Sequence, residues 1–216
     1  MKRIFLILMA VLVLFGSQIV LAESPSDETT EVSEDVAELD PVSRIYTFTL
    51  NGVTYTLPCQ VTDFTENGWN LGSGTLDANT YARTIGFHNG GSEYVTFEVM
   101  NDTEEDGVEL ANLKVVSVKV TQSFVDVDGN EFVTADGLHL GMTLDEVKEL
   151  YGVPSSEKSS YIGYHFQDRY ETDGLRGLGD AYVGEDSLYA YTEEGSDIVI
   201  RIELQYFGIA KSEDAE

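Results

Sequence analysis

The stretch GLHLGMTLDEVKELYGVP, from Gly137 to Pro154, decides the fold of the second half of the chain. Thr143 stands three residues before Glu146, the spacing at which an N-cap hydroxyl and a carboxylate each satisfy a free backbone N–H group at a helix start. Gly152 and then Pro154 end the same helix, because glycine favours a left-handed cap and proline cannot continue a helix. We therefore predict one short helix that is capped at both ends.

The helix and the last strand pattern are predicted to pack on each other. Apolar residues recur at helical spacing on one stripe of the helix, namely Leu144, Val147, Leu150 and Tyr151. Between residues 197 and 207 apolar and polar residues alternate, and the apolar face, predicted to receive the helix stripe, carries Ile198, Ile200, Ile202, Leu204 and Tyr206. The fold class predicted is α+β, with this helix on antiparallel sheet in a C-terminal lobe and a mostly antiparallel β N-terminal lobe.

The same helix resembles a family signature. The pattern G-M-T-x-x-E-V-x-x-x-x-G-x-P is matched by Gly141, Met142, Thr143, Glu146, Val147, Gly152 and Pro154. It is similar to the outer-membrane assembly lipoproteins called SmpA/OmlA and to the β-lactamase-inhibitor-protein-like repeats. The resemblance covers Gly137 to Phe207 and implies a short helix packed on one face of a small antiparallel sheet. The whole layout, including NGVTYTLP from Asn51, also looks like uncharacterised secreted proteins of anaerobic Gram-positive bacteria.

The resemblance implies a fold more than a function. The SmpA/OmlA lipoproteins are anchored through a cysteine directly after the signal peptide, and this chain has no cysteine there. No residue of an inhibitor's contact surface can be matched position by position, so inhibition of a β-lactamase is not carried over. In the inhibitor-like family the open sheet face is the binding surface, and the resemblance implies that face for this chain.

Residues 1–22 are predicted to be a signal peptide. Lys2 and Arg3 precede an apolar run that ends at Phe15, and Val20 and Ala22 suit the −3 and −1 positions of a signal peptidase site. The alternative is an uncleaved anchor, since the apolar segment approaches the roughly 20 residues that span a bilayer. We expect cleavage, and hence a bacterial protein that is secreted or associated with the cell envelope, without stable membrane insertion after cleavage.

The chain is strongly acidic. Its 39 Asp and Glu residues against 12 Lys and Arg residues give a formal net charge of −27. Nucleic acid is excluded as an expected partner, because affinity for it comes from Lys and Arg on phosphates. Residues 23–40 are rich in Glu, Asp, Ser and Thr with few large apolar side chains, so residues 23–43 are predicted to be a disordered acidic tether, and residues 211–216 a charged tail. High solubility outside the cell is the expected consequence of the charge.

Residues 44–125 are predicted to form the β-rich N-terminal lobe. It begins with a hairpin around Asn51-Gly52, a dipeptide typical of type I′ turns, and the strands before and after it alternate apolar residues with threonine. Further strands are predicted at Tyr81–Phe87, Tyr94–Met100 and Leu113–Phe124. We place the boundary at Asp126 and assign residues 126–210 to the second, SmpA/inhibitor-like lobe. Whether the two lobes are tandem repeats stays open.

A calcium loop is one interpretation of the segment after the boundary. Asp126, Asp128 and Asn130 have the 1, 3, 5 spacing of such a loop. Position 6 is Glu131 where the sharp turn needs glycine, and position 12 is Gly137 where a bidentate glutamate belongs. A plain hairpin between strands at 123–125 and 132–133 is therefore favoured, and a calcium-stabilised extracellular module is kept as an alternative function.

The residues offer little support for catalysis. Cys59 is the single cysteine, and a small buried residue is favoured over a reactive thiol or an intermolecular disulfide. His88, His139 and His165 are scattered, without the spacing of a zinc site, and no hydrolase or phosphate-binding motif occurs. We expect no cofactor and no enzymatic activity. A secreted enzyme with an unrecognised site stays as an alternative.

Tyrosine gives the candidate site. The last three strands are predicted at Tyr161–Phe166, Ser187–Tyr191 and Asp197–Phe207. Their aromatic and polar residues are predicted to share the sheet face away from the helix, namely Tyr161, His165, Tyr189, Tyr191, Arg201 and Gln205. Tyrosine is a typical anchor at protein interfaces, because it buries a large area at a small cost in side-chain entropy. The predicted function is non-enzymatic binding of another extracellular or envelope protein through this face. The alternative, which the residues by themselves favour, is that the rings complete the core of a small lobe with their hydroxyls at its rim.

Overall fold

The structure is a computed structural model, and it describes residues 41–127, 129–166 and 186–206. The predicted signal peptide, the predicted tether up to residue 40 and the predicted tail lie outside these residues. The last three residues of the predicted tether, 41–43, were expected to be disordered but belong to helix α1, Pro41–Ile45. The next residue of this helix, Arg44, forms a 3.0 Å ion pair with Asp136. Within the described residues, no helix has the length and apolar character that crossing a membrane requires.

Strands dominate the described residues, and all the helices are short. The other helices are α2 (Val61–Thr65), α3 (Gln122–Val125) and α4 (Leu144–Tyr151), with a 3₁₀ turn at Leu110–Asn112. The strands are β1 (Thr47–Leu50), β2 (Val53–Thr56), β3 (Cys59–Gln60), β4 (Trp69–Asn70), β5 (Thr75–Leu76), β6 (Thr80–His88), β7 (Tyr94–Asn101), β8 (Val108–Glu109), β9 (Lys114–Thr121), β10 (Phe132–Thr134), β11 (Ser156–Lys158), β12 (Tyr161–His165), β13 (Ser187–Thr192) and β14 (Val199–Gln205). The fold is α+β and mainly antiparallel sheet, as predicted.

The β1–β2 hairpin forms as the sequence predicts. Asn51 and Gly52 both have positive φ, 50° and 78°, which is the requirement of a type I′ turn. In the resulting register Phe48 faces Tyr55, and on the other face of the hairpin the Thr47 and Thr56 hydroxyls lie 2.8 Å apart. Strand β10 pairs with the free side of β1, so the small sheet has the order β10-β1-β2.

One large antiparallel sheet contains the remaining long strands. Its order is β11-β12-β13-β14-β9-β7-β6-β4, with β3 also paired to β9, while β5 pairs with β8 in a separate ladder. The predicted lobe boundary at Asp126 does not separate two sheets. Strand β9 lies before that residue and β14 after it, yet they pair over five residues from Arg201 to Gln205, and β10 crosses in the same way to β1.

The core lies on one side of the large sheet, which we call the inner face and which carries Phe97, Val118 and Ile202. The small sheet, α2 and α4 all cover this face. Ring contacts connect the small sheet to the large one: Tyr55 stacks on Phe64 with centroids 4.1 Å apart, and Phe64 meets Phe97 edge-to-face at 4.8 Å. The larger of two clusters of buried apolar side chains therefore joins both predicted lobes. The smaller one contains Tyr81, Met100 and Val116.

Helix α4 begins with the predicted capping box. The Glu146 backbone N–H donates to the Thr143 hydroxyl at 3.2 Å, and the Thr143 N–H donates to the Glu146 carboxylate at 2.7 Å. The prediction that the apolar stripe of this helix packs on the sheet is only partly right, because Val147 is fully buried whereas Leu150 is 40% exposed. Gly152 has a positive φ of 78°, but its ψ of −145° places it outside the left-handed helical region that the sequence predicts.

Strand β14 departs from the predicted alternation at its start. Tyr191 pairs with Arg201 but Thr192 pairs with Val199, so Ile200 is the extra residue of a β-bulge. The bulge moves Val199 into the core. Ile198, predicted to contact the helix, is instead 39% exposed. Beyond the bulge Ile202 and Leu204 point inward as predicted.

The predicted hairpin around residues 128–129 is wrong. The preceding strand ends at Thr121, and residues 122–125 form α3, which places Phe124 in the core. The segment after the turn, β10, pairs with β1 instead of folding back on residues 123–125. Burial of Phe124 against Trp69, at 5.9 Å between ring centroids, accounts for the difference, since a continued strand would carry this side chain away.

Replacing Val147 by Ala should destabilise the protein by about 2 kcal/mol, because it removes two methyl groups from a fully buried site and leaves a cavity. Leu150→Ala is the matched control on the same helix, and its exposed side chain should contribute less than about 1 kcal/mol. Urea unfolding followed by circular dichroism measures both values. Equal losses would show that the helix packs through Leu150 as well.

Candidate functional site

The candidate site lies on the outer face of the large sheet, which we define as the face opposite α4 that carries Tyr161, Tyr189, Tyr191 and Arg201. Strand register brings these residues together. In the cross-strand direction Tyr161 pairs with Tyr191 and Tyr191 pairs with Arg201. The same line continues to Lys158 of β11 at one end and to Thr121 of β9 at the other. We call Lys158, Tyr161, Tyr191 and Arg201 the cation–tyrosine row.

Three tyrosine rings form a contiguous cluster. The ring centroids of Tyr161 and Tyr191 lie 5.5 Å apart, and Tyr189 lies 5.9 Å from each of them. All three rings are half-buried. They therefore lie outside the fully buried core, and half-burial leaves part of each ring accessible. Spacings of this size are typical of favourable tilted or edge-to-face contacts.

Each end of the row carries a cation stacked on a ring. The Arg201 guanidinium carbon is 3.5 Å from the centroid of the Tyr191 ring, and Lys158 Nζ is 5.4 Å from the centroid of the Tyr161 ring. Both distances are within the range of cation–π attraction. The sequence prediction missed Lys158. Its signal was the segment Lys158-Ser-Ser-Tyr161, because a two-residue turn places the residues at its two ends opposite each other.

His165 joins the cluster through a hydrogen bond. The Tyr189 hydroxyl and His165 Nε2 are 3.0 Å apart. The ring of Tyr189 lies directly over Gly163, the residue it faces on β12, and a Cβ at that position would lie 2.6 Å from the ring. Glycine is needed here because any side chain would occupy the place of the ring. Gly163 thus sets the position of Tyr189.

Gln205 is not brought into the cluster. Its side chain is buried, accepts a hydrogen bond from Ser187 at 3.1 Å and donates one to Glu203 at 3.0 Å. Glu203 also forms a 3.2 Å ion pair with Lys119. Two positions along β14 separate Gln205 from Glu203, and another two separate Glu203 from Arg201, so Gln205 belongs to a buried polar network beside the rings.

Comparison with known proteins adds nothing to this geometry: no protein-family model, no curated protein and no solved structure matches the chain. The description of the site therefore rests on its own residues.

The candidate calcium ligands make hydrogen bonds within the protein. Asp126 accepts a 2.8 Å bond from Gln122, while Asn130 donates to the Phe124 carbonyl and accepts from Asn51, each at 3.1 Å. Asp128 lies outside the described residues. Within the residues that the structure does describe, no three His, Cys, Asp or Glu side chains are grouped so that they could hold a metal ion.

Cys59, the nucleophile that an enzyme hypothesis would use, is half-buried at the end of the β2–β3 connection and packs against the core. Burial, reinforced by the nearby Asp63 carboxylate, raises the pKa of its thiol to about 12. The reactive species is the thiolate, and a raised pKa lowers its fraction. The thiol is therefore protonated at physiological pH, which slows its reactions as a nucleophile.

The reactivity of Cys59 tests this description. At a pH of about 8 the native thiol should react with a disulfide reagent more than about tenfold more slowly than the urea-unfolded chain, because its pKa is raised in the fold and normal in the unfolded state. Absorbance of the released thiolate follows the reaction, and Cys59→Ser supplies the blank. Equal rates in the native and unfolded chain would place the thiol in solvent.

Gly163→Ala should destabilise the protein by about 1–3 kcal/mol, because the new methyl group occupies the space of the Tyr189 ring. In a Tyr189→Ala background the same substitution should cost less, since the ring is gone. A double-mutant cycle from chemical unfolding gives the coupling energy. A cost that is independent of residue 189 would assign the clash to Ser156 Oγ, which also lies 2.6 Å from the position of the new methyl group, and not to the ring.

Proposed function

We propose that this protein is a non-enzymatic binding protein, secreted or associated with the cell envelope, that docks another extracellular or envelope protein on its outer sheet face. The observation that carries the proposal is the contiguous cluster of Tyr161, Tyr189 and Tyr191, whose half-buried rings contact one another. Rings held in this way lose little further side-chain entropy on binding, and tyrosine is enriched at the energetic centres of protein interfaces.

The arrangement of the helices supports the same face. Helix α4, α2 and the small sheet all pack on the inner face, where the core is buried. The resemblance of the α4 motif to the inhibitor-like modules, in which the open sheet face binds, is consistent with a binding surface opposite the helix. The raised pKa of the Cys59 thiol argues against its use as a nucleophile and so supports binding rather than catalysis.

A second group of exposed apolar side chains lies at the far end of the outer face. Ile85, Phe87 and Tyr94 of β6 and β7 are 46%, 37% and 49% exposed. Phe87 and Tyr94 face each other across the strands, with ring centroids 6.1 Å apart. These residues provide a control, because they are aromatic, lie on the same sheet face and belong to different strands from the tyrosine cluster.

The experiment compares capture of proteins from secreted and envelope fractions of the native host by the wild type, Tyr161→Ala, Tyr191→Ala and Tyr94→Ala. A protein docked on the cluster should be lost with Tyr191→Ala, by about tenfold or more if this residue is an interface hot spot, and kept with Tyr94→Ala. Quantitative mass spectrometry reads the result, and circular dichroism confirms that each variant is folded.

Two outcomes would contradict the proposal. One is capture that is the same for Tyr191→Ala and the wild type. The other is an equal loss with Tyr94→Ala, which would indicate general adhesion of aromatic surface rather than docking on the cluster.

A further inference from the structure

The basic residues of the described chain fall into two classes. Five of them form ion pairs with carboxylates at 2.6–3.2 Å: Arg44 with Asp136, Arg83 with Glu98, Lys114 with Asp102, Lys119 with Glu203 and Lys148 with Glu157. The other two described basic residues, Lys158 and Arg201, form no ion pair within that part of the chain. Both are the cations of the cation–tyrosine row.

This division is unexpected in a chain of net charge −27. With more than three acidic residues for each basic one, a surface cation has many possible carboxylate partners. Lys158 and Arg201 instead stack on tyrosine rings, at 5.4 and 3.5 Å from the ring centroids. Stacking fixes the position of the guanidinium, whose Nε is buried without a hydrogen-bond partner among the described residues, and a guanidinium fork matches a carboxylate.

We infer that the cation–tyrosine row binds an acidic peptide segment of the partner protein, with one carboxylate on Arg201 and a second on Lys158. The inference rests on the proposed function and names the chemistry of the partner. The tyrosine rings between the two cations contact the residues that separate the two carboxylates.

The dimensions of the row suit an extended peptide. Lys158 and Arg201 lie on strands that are three positions apart, so their backbones are separated by about 14 Å at a strand spacing of about 4.8 Å. An extended peptide advances about 3.3 Å per residue, so carboxylates about four residues apart span this distance and point to the same side. A peptide lying across the strands therefore places one acidic side chain at each end of the row.

The net charge of the chain does not prevent this contact. At physiological salt the Debye length is about 8 Å, so distant carboxylates are screened and the nearby groups decide. Glu203, two residues from Arg201, and Glu157, next to Lys158, are themselves paired with Lys119 and Lys148. The charges of these neighbouring carboxylates are therefore partly neutralised by other cations.

The test titrates the full-length protein into a fluorescently labelled peptide with glutamates about four residues apart, and into its glutamine analogue, with anisotropy as the readout. The glutamate peptide should bind more tightly, and its affinity should fall as salt is raised. Arg201→Gln should weaken binding by about tenfold and Lys158→Gln by about threefold, since a charge-assisted hydrogen bond is lost in each case. Arg201→Lys, which keeps the charge, should recover part of the loss.

Lys114→Gln is the matched control. It changes the net charge by the same amount, but Lys114 is paired with Asp102 away from the row, so affinity for the peptide should be unchanged. Equal weakening by Lys114→Gln would overturn the inference, as would equal binding of the glutamate and glutamine peptides. Tighter binding of inorganic polyphosphate than of the glutamate peptide would also overturn it, and would assign the row to phosphate.

Failure of this inference is distinguishable from failure of the proposed function. If Tyr191→Ala abolishes capture of a partner protein while Arg201→Gln preserves it, the face binds a protein but the contact is not acidic. If Tyr191→Ala leaves capture intact, the face itself is not the docking surface.

Discussion

The pairing of β9 with β14 is the interaction on which the rest of the structure depends. It joins the strands β6, β7 and β9 to the strands β11, β12, β13 and β14 in one sheet. Without this pairing the inner face would be divided, and neither part could cover the core alone. The pair places Val118 and Val120 beside Leu204 and Ile202, all of them fully buried. Apolar burial is the dominant stabilising contribution in folding, and here it is concentrated where two distant segments of the chain meet.

The same pairing arranges the outer face, because side chains alternate between the two faces of a strand. Ile202 and Leu204 point inward, so Arg201, Glu203 and Gln205 must point outward. The bulge at Ile200 then ends this alternation just beyond Arg201 and lets Val199 return to the core. The guanidinium that stacks on Tyr191 thus stands at the last outward position before the strand changes phase, and packing of the core determines where the candidate site begins.

The local parts of the fold were predictable from sequence. The Asn51-Gly52 turn and the Thr143 capping box form as expected, because each is specified by residues within a few positions of one another. The three-tyrosine cluster was also predictable, since it follows from alternation in adjacent strands. Features that depend on distant residues were not predictable from sequence. They are the end of strand β9 before Phe124, which packs on Trp69, the bulge at Ile200, and the pairing of β14 with β9. Each depends on contacts that no local pattern encodes.

The position of β14 also bears on how the protein is made. This strand is the last one in the described chain, yet it lies in the interior of the sheet, between β13 and β9. While the chain emerges during synthesis, β9 and β13 are complete but each has an open edge, and an open edge with apolar neighbours is a site for pairing with other chains. The sheet closes only when the final strand arrives and inserts between them. Completion of the sheet therefore depends on β14. A chain that stops before this strand leaves β9 and β13 each with an unpaired edge.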